Sequence, residues 1–69
     1  MKPEDTKRVE AYLKRVLNPK IALIARPRVT DSVEVQIEGE HVGLVYLIED
    51  EGETSYQLEM TILQEDLEG

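Results

Sequence analysis

Residues 42–49, Val-Gly-Leu-Val-Tyr-Leu-Ile-Glu, form the most apolar run in this 69-residue chain. Turn-forming residues bound it, Gly39-Glu40 before and Asp50-Glu51-Gly52-Glu53 after. A short run of branched and aromatic residues between two such signals reads as a strand covered on both sides. It predicts a central strand against which the other elements take their register.

The preceding segments supply a helix and two strands. Val9, Tyr12, Leu13, Val16 and Leu17 recur at helical spacing, which makes one apolar stripe. Pro3 suits the first helical position, where its missing N–H leaves no bond unmade, and Glu4 and Asp5 favour the positive end of the dipole. The spacing predicts a helix over about 3–17, stopped by Asn18-Pro19, because the residue before proline avoids the helical region. Strands are expected at about 20–26, 32–38, 41–49 and 54–63, and an acidic tail at 64–69. The second strand alternates cleanly, with Val33, Val35 and Ile37 set against Ser32, Glu34, Gln36 and Glu38.

Turn positions set the register. Reading Gly39-Glu40 as a two-residue type II′ turn places Ile37 opposite Val42, Val35 opposite Leu44 and Val33 opposite Tyr46. A turn centred on Gly52 places Val42 opposite Ile62, Leu44 opposite Met60 and Tyr46 opposite Leu58. With the first strand added, the rows facing the helix become Ile21-Ile37-Val42-Ile62, Leu23-Val35-Leu44-Met60 and Ala25-Val33-Tyr46-Leu58. A bulge in the second hairpin would shift its pairing by one. The expected fold is α+β in two layers: an N-terminal helix packed on a four-stranded antiparallel β-meander, order 1-2-3-4, as a single domain over residues 1–69.

The same register gives the opposite face the rows Ala22-Gln36-Gly43-Thr61, Ile24-Glu34-Val45-Glu59 and Arg26-Ser32-Leu47-Gln57. No segment is left to cover it. Scattered surface apolar residues are ordinary. A domain this short, however, buries only about 60% of its unfolded surface, and small domains need a supplement. Cysteine is absent and there is one histidine, His41, so disulfides and the usual zinc ligands are not available. A partner subunit remains. The candidate interface is Ile24, Gly43, Val45, Leu47, Glu59, Thr61 and Leu63. Strand 4 offers a second geometry: its edge carries neither proline nor lysine, so it could pair with its own copy about a two-fold axis.

The net charge of −7 is unevenly placed. The first 28 residues hold eight basic and three acidic side chains, +5, and residues 29–69 hold twelve acidic and no Lys or Arg, −12. Three readings stand: weak attraction between the basic helix and the acidic sheet, a basic partner for the sheet, or an acidic partner for the helix. The overall acidity and the lack of exposed interleaved aromatics argue against nucleic acid. No apolar leader and no run near the ~20 residues of a membrane span is seen, so a cytoplasmic protein without membrane contact is expected. The acidic loop Glu49-Asp50-Glu51-Gly52-Glu53 lacks the spacing of a calcium loop, and His41 reads as a solvated partner of Glu38. No metal, cofactor or catalytic residue is expected.

Lys2-Pro3-Glu4, Val9-Glu10-Ala11-Tyr12-Leu13, Ala25-Arg26-Pro27, Asp31-Ser32, Gly43 with Tyr46, Ser55-Tyr56, and Met60-Thr61-Ile62-Leu63 with Asp66-Leu67 span nearly the whole chain. In these residues it resembles a family of short, single-domain alphaproteobacterial proteins of unknown function. The resemblance implies a bacterial cytoplasmic protein and carries over no site. The functional expectation is a non-enzymatic protein-interaction module, homodimeric through the exposed sheet face or the strand 4 edge, with room for an unidentified protein partner. The alternative is a small-ligand or regulatory binding protein whose site forms at the dimer interface.

Overall fold

A computed structural model of the protein describes residues 1–68. Helix α1 runs Pro3–Val16, strands β1 to β4 run Ile21–Arg26, Val29–Ile37, Glu40–Asp50 and Glu53–Met60, and a short helix α2 runs Gln64–Glu68. The four strands make one antiparallel sheet in the order β1-β2-β3-β4. The architecture is the expected α+β arrangement. Gly69, the end of the expected acidic tail, lies outside the described residues, and the rest of that tail contains α2.

Local chemistry explains the ends of α1. Lys2 precedes the helix without a side-chain cap, and Pro3 occupies its first turn with Glu4 and Asp5. Asn18 closes it: its N–H donates to the Leu13 carbonyl at 3.2 Å, and its side-chain oxygen accepts the Lys20 N–H at 2.8 Å. The chain then turns directly into β1.

The β1–β2 register is the one read from the sequence as far as Ala25, with Ile21 opposite Ile37, Leu23 opposite Val35 and Ala25 opposite Val33; an irregularity then puts Arg26 opposite Val29 rather than Ser32. The other two pairings are each displaced by one residue. Val33 stands opposite Val45, not Tyr46, and Val35 opposite Gly43, not Leu44. Leu58 stands opposite Val45, and Met60 opposite Gly43. At β3–β4 the turn displaces the pairing by one; at β2–β3 the turn displaces it by two and a bulge takes one back. Glu38 and Gly39 have φ of 52° and 84°, and Glu51 and Gly52 have 49° and 82°. Two successive positive φ values with glycine second define a type I′ turn, whose twist matches that of the flanking strands. The first turn therefore sits at Glu38-Gly39, with Ile37 opposite Glu40, rather than at Gly39-Glu40. A bulge then adds Val42 as an extra residue on β3.

A one-residue slip sends every side chain of a strand to the other face. Val45, expected on the bare face, is only 1% exposed and packs with Leu13, Ile21, Leu23, Val33 and Val35 in the core. Leu44 and Tyr46, expected beneath the helix, lie half-buried on the open face. The helix-side rows are thus Leu23-Val35-Gly43-Met60 and Ala25-Val33-Val45-Leu58.

The helix does not span the sheet. Of its stripe only Leu13 is buried, Val9 is half-buried, and Tyr12, Val16 and Leu17 are exposed. A helix is about 10 Å across and strands lie about 4.8 Å apart, so one helix covers two strands of four. Here it sits toward β1. A side-chain bond anchors it there: Glu10 Oε2 accepts the Leu23 N–H at 2.8 Å.

Candidate interaction surface

Uncovered apolar surface is concentrated at the β4 side of the molecule. Every described residue from Ile48 to Glu68 is exposed. That stretch includes Tyr56, Leu58 and Met60, which belong to the helix-side column of β4, and Ile62, Leu63 and Leu67 beyond it. Met60 is 54% and Leu67 is 70% exposed, more than an isolated domain of this size gains from leaving them so.

Between α1 and β4 lies an open groove of about 450 Å³. Val9, Tyr12 and Leu13 form its helical wall, and Val45, Tyr56 and Leu58 its sheet wall. Asp5 and Arg8 stand on the rim. A shallower neighbouring depression shares Asp5 and Tyr56 and adds Met1, Lys2, Thr30 and Leu47. Arg15 lies over the Tyr12 ring at 5.3 Å.

The two sheet edges differ. On β1, the Leu23 N–H is already taken by Glu10. On β4, alternation decides which groups are free. In a two-residue hairpin the flanking pair, here Asp50 and Glu53, exchanges both backbone bonds. Odd-numbered residues of β4 therefore bond to β3, and the bond from Thr61 N–H to the Val42 carbonyl at 3.2 Å continues that series. The N–H and C=O groups of Thr54, Tyr56, Leu58 and Met60 point outward, with no strand beside them.

The sequence-derived interface residues divide. Ile24 and Glu59 do share the open face, in a row Ile24-Glu34-Leu44-Glu59 that has Leu44 where Val45 was expected. Gly43, Val45 and Leu47 do not. Val45 is core, Leu47 lines the helix-side depression, and Gly43 is buried. The backbone that approaches Gly43 is the chain's own β4. A Cβ there would run into the Glu59 carbonyl and lie 3.0 Å from Met60 Cα. Thr61 and Leu63 are exposed, just past the end of β4.

Other candidate groups are structural. Beside Ile24, Arg26 Nη1 donates to Ser32 Oγ at 3.0 Å, which satisfies a hydroxyl that is buried on the open face. His41 pairs with Glu34 at 2.9 Å rather than with Glu38, because the turn at Glu38-Gly39 places it opposite Gln36. Glu38 instead meets Lys20 at 2.8 Å. Among the described residues no three His, Asp, Glu or Cys side chains converge as metal ligands, and no helix is long and apolar enough to cross a membrane.

Sequence reasoning missed Glu10 and the groove. Glu10 carries no signal beyond a helical carboxylate, and the groove exists only because the helix stops short of β4. A family model described as Protein of unknown function (DUF3126) matches residues 5–66. No curated protein and no solved structure matches the chain. The chain belongs to that family.

Proposed function

We propose that this member of a family of unknown function is a non-enzymatic interaction module that works as a homodimer, joined by antiparallel pairing of β4 with β4 of a second copy. The observation that carries this is the unbroken exposure from Ile48 to Glu68 beside an unguarded strand edge. Two-fold pairing through the outward groups of Thr54, Tyr56, Leu58 and Met60 sets even-numbered residues opposite even-numbered ones. The apolar column Tyr56-Leu58-Met60 would then continue into its copy, as in a β-augmented sheet.

Area supports the same reading. The chain exposes 5566 Å², against about 4,400 Å² for a folded monomer of its mass. The surplus, roughly 1,100 Å², is more than the about 800 Å² each partner gives to a standard interface. Its radius of gyration is 12.8 Å, where a compact chain of this length has about 11 Å. The absence of cysteine suits the reducing cytoplasm as its compartment.

Sedimentation equilibrium over a dilution series tests the proposal, with a matched proline substitution. Leu58→Pro removes an outward N–H and should give a folded monomer, because proline is tolerated on an edge strand. Leu58→Lys, which guards the edge with charge, should do the same. A wild-type chain that stays monomeric at high micromolar concentration, or a folded Leu58→Lys variant that stays dimeric, refutes it.

A second reading draws on the groove itself. Its volume of about 450 Å³ falls within the range of small-molecule sites, which supports a ligand site at the dimer interface. That reading requires the groove to stay open in the dimer, so an apolar dye should bind the dimer as it binds the monomer.

A further inference from the structure

We infer that the groove between α1 and β4 is filled, in the dimer, by the C-terminal arm of the second copy: Ile62, Leu63 and Leu67 enter the groove of one protomer from its partner, and the exchange is reciprocal. This rests on the β4-paired homodimer proposed above and deepens it.

The arm has the composition of a docking segment and nothing to dock on. Ile62 is 65% exposed and Leu67 is 70% exposed, and no residue of α2 is buried. Yet α2 is held in shape: the Asp66 carboxylate accepts the Leu63 N–H at 3.1 Å, and the Asp66 N–H donates to the Leu63 carbonyl at 3.0 Å. A five-residue helix is far below the length that is stable alone in water, so an ordered α2 calls for a surface against its apolar side. Leu63 immediately precedes α2 and Leu67 lies within it, and both are exposed.

Surface area points to a second copy as the occupant, because the chain exposes 5566 Å², roughly 1,100 Å² more than a folded monomer of its mass. The arm carries Glu65, Asp66 and Glu68. Arg8 lines the groove, and Lys2 lines the adjoining depression. Asp5, on α1, lines both hollows and Glu49 lines the depression, so the lining is balanced in charge and the fit is an apolar one. The chain thus holds both an exposed apolar arm and an uncovered apolar groove.

Geometry favours exchange. β4 ends at Met60, opposite Gly43, while Lys2, Asp5, Leu47 and Thr54 lie toward the β3–β4 turn at the other end of the sheet. Antiparallel pairing of two β4 strands brings the end of one beside the start of the other. The arm of one copy would then leave β4 next to Thr54 and Tyr56 of its partner, where the hollow begins. Burial of three large aliphatic side chains per arm is enough to strengthen a dimer substantially.

The test mixes carbon-13-labelled and unlabelled full-length chains and records filtered NOEs that arise only between copies. The expected result is contacts from the Leu63 and Leu67 methyls to the Tyr12 and Tyr56 rings, together with a dimer constant weakened about tenfold or more when the chain is shortened to residues 1–61. A dimer that lacks those contacts overturns the arm exchange and leaves β4 pairing standing. The same contacts found only within one chain overturn it as well, as does a shortened chain that dimerises as tightly as the full one. A chain that is monomeric throughout overturns the pairing on which the inference rests.

Discussion

Glu10 on α1 accepts the backbone N–H of Leu23 on β1 at 2.8 Å, so the helix both packs on the first edge strand and closes part of it. Fixing α1 over β1 is also what leaves β4 uncovered. A hydrogen bond to a charged acceptor contributes about 1.5–3 kcal/mol, and loss of a partly buried acceptor strands its donor. Glu10→Ala should therefore destabilise the fold by about 1–2 kcal/mol, read by urea unfolding. Glu10→Gln retains an acceptor and should lose less than half of that, including its exposed pairing with Lys14 at 3.7 Å.

Gly43 allows β3 and β4 to approach at the bulge. An added Cβ would strike backbone, not a flexible side-chain end. Gly43→Ala should destabilise by about 1–3 kcal/mol, as overpacking does. Equilibrium unfolding should show a lower midpoint, with the largest amide shift changes at Glu59 and Met60.

Both hairpins hold a glutamate in the left-handed region, at Glu38 and Glu51. Asparagine accepts that conformation more readily, and Asn-Gly is the favoured type I′ pair. Glu51→Asn should stabilise by about 0.5–1 kcal/mol. Glu38→Asn should gain less, because it also loses the exposed pair with Lys20. Thermal melts of the two variants side by side would check the order.

The slipped register has a direct mutational signature. Val45 is core and Leu44 is half-buried on the open face. Val45→Glu should unfold the chain, since it buries an unpaired carboxylate, whereas Leu44→Glu should leave the helix signal in circular dichroism intact.

These residues also mark how far the sequence could be read. Helix spacing, the alternation in β2 and the proline and glycine stops located the four strands, though β2 begins three residues earlier and β4 ends three residues sooner than expected, and gave the β1–β2 register as far as Ala25. They failed on the faces of β3 because Val42, Leu44, Val45, Tyr46, Leu47 and Ile48 are all apolar, so either face could be the buried one. Only the turn positions and the bulge could decide. Moving the first turn from Gly39-Glu40 to Glu38-Gly39 shifts the partner of Ile37 by two, from Val42 to Glu40, which keeps the faces; the bulge at Val42, which leaves no compositional trace, is what inverts them. The interface residues Gly43, Val45 and Leu47 were misplaced by that same slip. Ile24 and Glu59 kept their face because β1 is in the register read from the sequence and Glu59 stays beside β3 on the open side.

Backbone amide exchange measured residue by residue at low and high protein concentration reads the β4 edge most directly. The account predicts that Ser55, Gln57 and Glu59 are protected at both concentrations, whereas Tyr56 and Leu58 exchange freely when dilute and become protected when concentrated. Tyr56 and Leu58 amides that exchange equally fast at both concentrations, in a chain that is otherwise folded, would contradict it.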